Sequence, residues 1–332
     1  MPNRRPVQKA IATFAGCALM TFALLFGASF AQASGKLVPL TPKMKKLFWS
    51  SAEDKPVTRP AHHFKTNEKT HELFRPFIKN MGGGYVGVAS AQNYTLIAWA
   101  RSKFAWLIDF DDVIQHIHRI HRAFMLVAPT AKQFMQLWHK KNKKQALTII
   151  RKTYKGWERR GALRWYRRYQ RQMYRYLSAK LRKRQKANPN WLNTPSSYSY
   201  IRRMFQLNRI RIMHGNLFGK KTLRGIGTAA KKAKLPIRVV YFSNAEEWFL
   251  YFPSFRKNIY NLPFDKKSVV LRTLWAKQFQ PRSGDTWHYN VQKAIHFQKY
   301  LKEKNGGYVV NLEPYSLGSR YWGVSLIGFG YR

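Results

Sequence analysis

The sequence predicts an α/β protein: a mostly parallel sheet with flanking helices, a basic helical insertion and a C-terminal antiparallel hairpin. Three observations lead there. Short apolar runs bounded by turn residues alternate with stretches of helical spacing, the rhythm that builds parallel sheets covered on both faces. A long central stretch breaks that rhythm and reads as helix alone. The scarce acidic residues fall just after predicted strands, where open α/β sheets bind their ligands.

The chain opens with Arg4, Arg5 and Lys9 and continues in an uncharged apolar run from about Ala10 to Phe30. Ala31-Gln32-Ala33 then supplies a small-x-small cleavage pattern. Residues 1–33 are expected to be a signal peptide cut after Ala33, so that the mature, periplasmic or extracellular protein starts at Ser34. An uncleaved anchor is the alternative, because the apolar run is long enough to span a bilayer. Arg4-Arg5 weakly resembles a twin-arginine signal, which leaves the export route open. Cys17 lies deep inside the apolar run, unlike a lipidation cysteine. It is the only cysteine, so the mature chain has no disulfide, no thiolate metal site and no thiol nucleophile. No later segment is long and apolar enough to span a membrane.

Residues 34–80 are read as an N-terminal extension with a helix, and 81–332 as the α/β domain, interrupted by the basic insertion at about 130–205. Gly82–Ala89 is the first strand, followed by helical spacing from Asn93 to Arg101. Phe104–Ile108 is the second, stopping at Asp109-Phe110-Asp111-Asp112. The next helix carries Val113, Ile114, Ile117, Ile120 and Phe124. After the insertion, strands are expected at Arg209–Met213, Pro236–Phe242 and Ser268–Leu274, with helices between. A helix is expected from Trp287 to Lys304, then a hairpin of Gly307–Leu312 and Tyr321–Gly330 turning at Leu317-Gly318-Ser319.

Charge is the dominant compositional fact. Three of the 61 Lys and Arg lie in the leader, and the rest exceed the 14 Asp and Glu by 44. Such a field favours anionic partners: nucleic acid, lipid head groups or cell-wall polymers. The excess is concentrated. Lys132–Lys186 holds 20 basic residues and the single acid Glu158. Trp157–Lys186 reads as one helix with an apolar face of Leu163, Tyr166, Tyr169, Met173, Leu177 and Leu181. Arg160, Arg164, Arg167, Arg168, Arg171 and Arg175 occupy much of the remainder and are the candidate polyanion-binding residues. A merely solvated face of a basic protein is the competing reading.

Five of the 14 acids, Asp109, Asp111, Asp112, Glu246 and Glu247, follow two of the predicted strands. Asp112 and Glu247 suit the first turn of a helix, where the dipole stabilises them. Asp109 belongs to the strand end itself. Arg272 sits in an apolar strand and needs an anion, for which Glu246 and Asp109 are candidates. A Glu246–Arg272 pair would make that acid structural rather than catalytic. Asp112 and His116, four apart, are placed to pair locally. His116, His118 and His121 share a helix without an accompanying ligand motif, so no metal site is expected.

The segments Gly82–Gln92 (GGGYVGVASAQ), Leu107–Asp112 (LIDFDD), Ile212–Leu217 (IMHGNL) and Tyr241–Trp248 (YFSNAEEW), in this order, resemble a class I S-adenosylmethionine-dependent methyltransferase. They also resemble an uncharacterised group of exported bacterial proteins with the same Rossmann-like core. The resemblance spans roughly Met81–Asp112 and Ile210–Arg332. It implies a cofactor pocket containing Tyr85, Gln92, Asp109, Asp111, Gly215 and Asn216, with Asp109 on the ribose. It places Asn244 and Glu246 beside the transferred group. His288 is a candidate general acid or base. S-adenosylmethionine is implied by that resemblance only, and whether the protein is an enzyme stays open. Two functions follow: a nucleotide-like ligand or group transfer at the strand ends, or a non-enzymatic envelope protein holding polyanions on its basic helices.

Overall fold

The computed structural model describes residues 37–57, 61–183, 188–275, 281–303, 307–309, 312, 316–321 and 323–329. The expected signal peptide and its cleavage site lie outside these residues. Among them no helix is long and apolar enough to cross a membrane.

Eight strands form one sheet in the order β3-β2-β1-β4-β5-β6-β8-β7. The first five are parallel: β1 (Gly84–Gly87), β2 (Phe104–Asp109), β3 (Ile210–His214), β4 (Ile237–Ser243) and β5 (Val269–Leu274). β6 (His288–Lys293) runs antiparallel to β5. Beyond it β8 (Val324–Ile327) is parallel to β6, and β7 (Ser316–Tyr321) closes the sheet antiparallel to β8. The strand order reverses between β1 and β4, the position at which a doubly wound sheet opens its ligand crevice. The α/β, mostly parallel, Rossmann-like architecture is as expected.

The helices are α1 (Pro42–Trp49), α2 (Arg75–Ile78), α3 (Gln92–Ala100), α4 (Asp112–Val127), α5 (Ala131–Trp138), α6 (Lys143–Thr153), α7 (Gly156–Arg182), α8 (Pro195–Gln206), α9 (Thr222–Lys232), α10 (Pro253–Tyr260) and α11 (Ala294–Glu303). Three of them start at a clear cap. Thr41 caps α1 ahead of Pro42, Asp111 caps α4 by accepting from Val113 N, and Thr130 with Gln133 forms a capping box on α5. All nine residues of α3 are buried, including the polar Gln92, Asn93 and Thr95 of its first turn. The insertion, α5 to α8, packs against α4 and α3 and returns the chain to β3.

Two expectations are corrected. Trp287–Lys304 is not one helix: His288–Lys293 is strand β6, and the helix starts only at Ala294. The sheet's ladder claims the first half, because Arg272 on β5 needs the polar side chains of Asn290 and Gln292 opposite it. The closing hairpin is also shifted. The expected turn residues Leu317-Gly318-Ser319 lie inside β7, and the chain reverses near Gly323, whose φ of 83° favours glycine.

Candidate functional site

Sequence logic puts a site at the carboxyl ends of β1 to β5, and the structure does gather the acids there. Asp109 ends β2 opposite His214 at the end of β3. Glu246 and Glu247 occupy the 3-10 turn Ala245–Trp248 directly after β4. The N-terminal extension delivers three further carboxylates, Glu53, Asp54 and Glu68, to the same rim. No sequence pattern marked them.

Glu68 is the centre of the arrangement at β4 and β5. It is fully buried and accepts hydrogen bonds from Ser243 Oγ (2.7 Å), Thr273 Oγ1 (2.7 Å), Thr66 Oγ1 (3.1 Å) and the Tyr241 hydroxyl. His71 Nε2 lies 2.5 Å away. Burial alone would raise its pKa, but His71 and the Tyr241 and Ser243 hydroxyls outweigh it and hold the carboxyl at about 2. The side chain therefore stands as a charged plug across the ends of these strands.

Asp109, the expected ribose ligand, is likewise committed. One oxygen accepts from Ala89 N and the other from Asp111 N, both at 2.9 Å. Burial pushes its pKa up to about 6 despite those N–H donors. Ala89 is left-handed (φ 67°), a conformation costing a β-carbon residue about 1–2 kcal/mol. The loop after β1 is held in it from several sides. Asn93 Nδ2 donates to Val88 O and Ser90 O at 2.7 Å, Ser90 Oγ donates to Phe64 O, and His118 Nε2 sits 2.9 Å from Ala89 O.

Four of the remaining cofactor candidates have similar duties, and the fifth, Gln92, lines a small cavity. Tyr85 is buried and donates to Asn93 Oδ1 (2.7 Å). Asp111 caps α4 and pairs with His62 (2.8 Å). Gly215 donates to Asp109 O, and a Cβ there would meet Ile108 at 2.9 Å. Asn216 turns its own side chain back to Phe218 N, while its N–H donates to Asp54. Of the catalytic candidates, Glu246 is buried between Arg272 Nε (2.6 Å) and the Tyr251 hydroxyl (2.8 Å), so it, rather than Asp109, is the partner Arg272 needs. Asn244 lies in the same turn, and His288 is buried at the start of β6 opposite Leu274.

At the β2 and β3 ends a second cluster forms. His214 Nε2 and His116 Nε2 approach the same oxygen of Asp112, at 3.0 and 3.3 Å, so the local Asp112–His116 pair is joined by a distant histidine. Burial lowers the His214 pKa, but Asp112 and Glu53 more than offset it and leave it raised. Arg211 grips Ser51 and Glu53 and so fastens the extension to β3. His121 is caged by Tyr94, Phe134, Trp138 and Trp191, and burial keeps it neutral. Among the described residues no three His, Cys, Asp or Glu side chains converge as metal ligands do.

Among the described residues, a small cavity lies beside Glu68. Thr66, His71, Gln92, Tyr176, Lys180 and Trp191 line a cavity of about 20 Å³, room for one water. Nucleotide-sized ligands occupy several hundred Å³, so this cavity is too small for S-adenosylmethionine. Lys180 comes from α7, whose end covers this spot, and burial, with Lys183 nearby, lowers its pKa to about 8. A larger groove of about 610 Å³ lies at the far end of α4, among Val127, Gln136, Gln145 and Lys152, away from the strand ends.

The chain belongs to the family described as a domain of unknown function (DUF7790), which matches residues 63–316. No curated protein matches it. The DUF7790 region therefore takes in Glu68 and the whole of α7, while Glu53 and Asp54 precede it.

The candidate polyanion face of the DUF7790 region is α7. Its buried residues Ala162, Tyr166, Met173 and Leu177 define one side. At about 100° per residue, Arg160, Arg164, Arg167, Arg168, Arg171 and Arg175 fall within an arc of about 100° on the opposite side. All six are exposed, and none is engaged by an ion pair among the described residues. They span about 23 Å along the axis. The helix's acid, Glu158, is turned to Arg119 instead (3.0 Å).

Proposed function

We propose that this is an exported, non-enzymatic protein that holds a polyanion on the arginine stripe of α7, using a Rossmann-like scaffold whose ligand rim is closed. The observation that carries the reading is the stripe itself. Six arginines at spacings of three and four repel one another by a few tenths of a kcal/mol per pair. The helix tolerates this only because its other face is buried, and an anion lying along the stripe would relieve it. The rim supports the same reading: its carboxylates are bound to protein donors, and the cavity beside them accommodates about one water. Group transfer through a bound methyl donor has no such support.

The test is titration of a 20-base-pair DNA duplex with mature protein at 50 and 200 mM salt. Affinity should fall steeply with salt. Replacing Arg164, Arg167, Arg168 and Arg171 together by Gln should flatten the log–log slope by up to about 3–4, the value for four lost phosphate contacts. Unchanged affinity and slope in that variant would reduce the stripe to a solvated face.

A further inference from the structure

The loops after β4 and β5 carry an apolar surface that the arginine stripe does not involve. Trp248 is 77% exposed, Trp275 70% and Phe252 48%. They are linked through their neighbours: Trp275 N donates to the carboxylate of Glu247, beside Trp248, and Phe252 and Phe249, the residue after Trp248, both pack on Phe218, with ring centroids at 5.8 and 4.6 Å from it. Exposed aromatics scattered singly need no explanation, whereas a contiguous set does. Lys220 and Lys221, two and three residues beyond Phe218, and Lys257, on the helix that Phe252 leads into, are all exposed.

From this we infer that the Trp248–Phe252–Trp275 patch is a membrane-interface anchor that seats the protein on an anionic lipid bilayer. Tryptophan prefers the boundary between head groups and acyl chains, and flanking lysines add attraction to anionic lipid. The chain's large positive charge favours that surface and disfavours a second copy of itself.

The experiment is sedimentation of mature protein with vesicles of equal phosphatidylglycerol and phosphatidylcholine, and of phosphatidylcholine alone. Wild type should partition onto the anionic vesicles, and acyl-chain-brominated lipid should quench part of its tryptophan fluorescence. Trp248→Ala/Phe252→Ala/Trp275→Ala should lose roughly tenfold in partitioning and most of the quenching, with its DNA affinity unchanged. The four-arginine variant should keep the quenching per bound molecule, so that failure of the stripe and failure of the patch are separable. Equal partitioning of triple variant and wild type would overturn the anchor. So would no binding of wild type to anionic vesicles, including the case in which it is retained on insoluble glycan, or a parallel loss of DNA affinity in the triple variant.

Discussion

Glu68 is a buried carboxylate surrounded by four hydroxyls and an imidazole contributed by strands β4 and β5 and by its own segment. Its depressed pKa makes it a pH-dependent stabiliser. A carboxyl held at about 2 when folded, against 4.5 when unfolded, stabilises fully above pH 4.5 and loses that contribution as pH falls toward 2. The shift corresponds to about 3 kcal/mol. Glu68→Gln should therefore cost about 3 kcal/mol at pH 7 and show a shallower acid limb between pH 4.5 and 3, measured by urea unfolding at stepped pH. Asp109 works with the opposite sign. Its pKa is raised to about 6, so its contribution is present at acid pH and is lost as pH climbs through 6. His118, lowered to about 4 by burial, contributes fully above pH 6.5 and loses that contribution as pH falls toward 4.

At the scale of elements, α7 is held by a tight contact in its first turns. A Cβ on Gly161 would meet the His116 ring at 2.0 Å, so the helix approaches α4 this closely only because residue 161 is glycine. Gly161→Ala gains helix propensity of about 1 kcal/mol, but the overpacking costs about 1–3 kcal/mol and disturbs the His116–Asp112–His214 cluster. The expected result is a net loss of stability, read as a lower urea midpoint with unchanged slope. The element pattern also explains what was readable. Strands β1 to β5 stand out because both their faces are buried and turn residues bound them. β6 was hidden because it runs straight into α11 without a loop, and its polar residues are buried against Arg272 rather than exposed.

For the whole molecule, the extension and the α/β domain behave as one body from Pro39 on. α1 inserts Phe48 against Phe104 and Trp106, with ring centroids 4.3 and 5.4 Å away, and the following segment crosses the strand ends. Calorimetry of mature protein with S-adenosylmethionine should accordingly give no binding heat. Measurable heat would mean that Glu68 and its segment move aside and that the rim is a working site. Export is tested separately: protein recovered outside the cytoplasm should begin at Ser34 by N-terminal sequencing.

The residue string alone determined the alternation of strand and helix, the basic character of α7 and the location of Asp109 and Glu246 at strand ends. Each of these is a local matter of periodicity, composition or neighbour order. It also framed the choice of partner for Arg272, since a buried guanidinium must have one. Only the tertiary structure decided which groups lie over the strand ends. Glu53, Asp54 and Glu68 belong to an aperiodic segment and meet partners 158 to 205 residues away. A carboxylate's meaning depends on which donors surround it, and chain folding, not chain order, brings those donors to it.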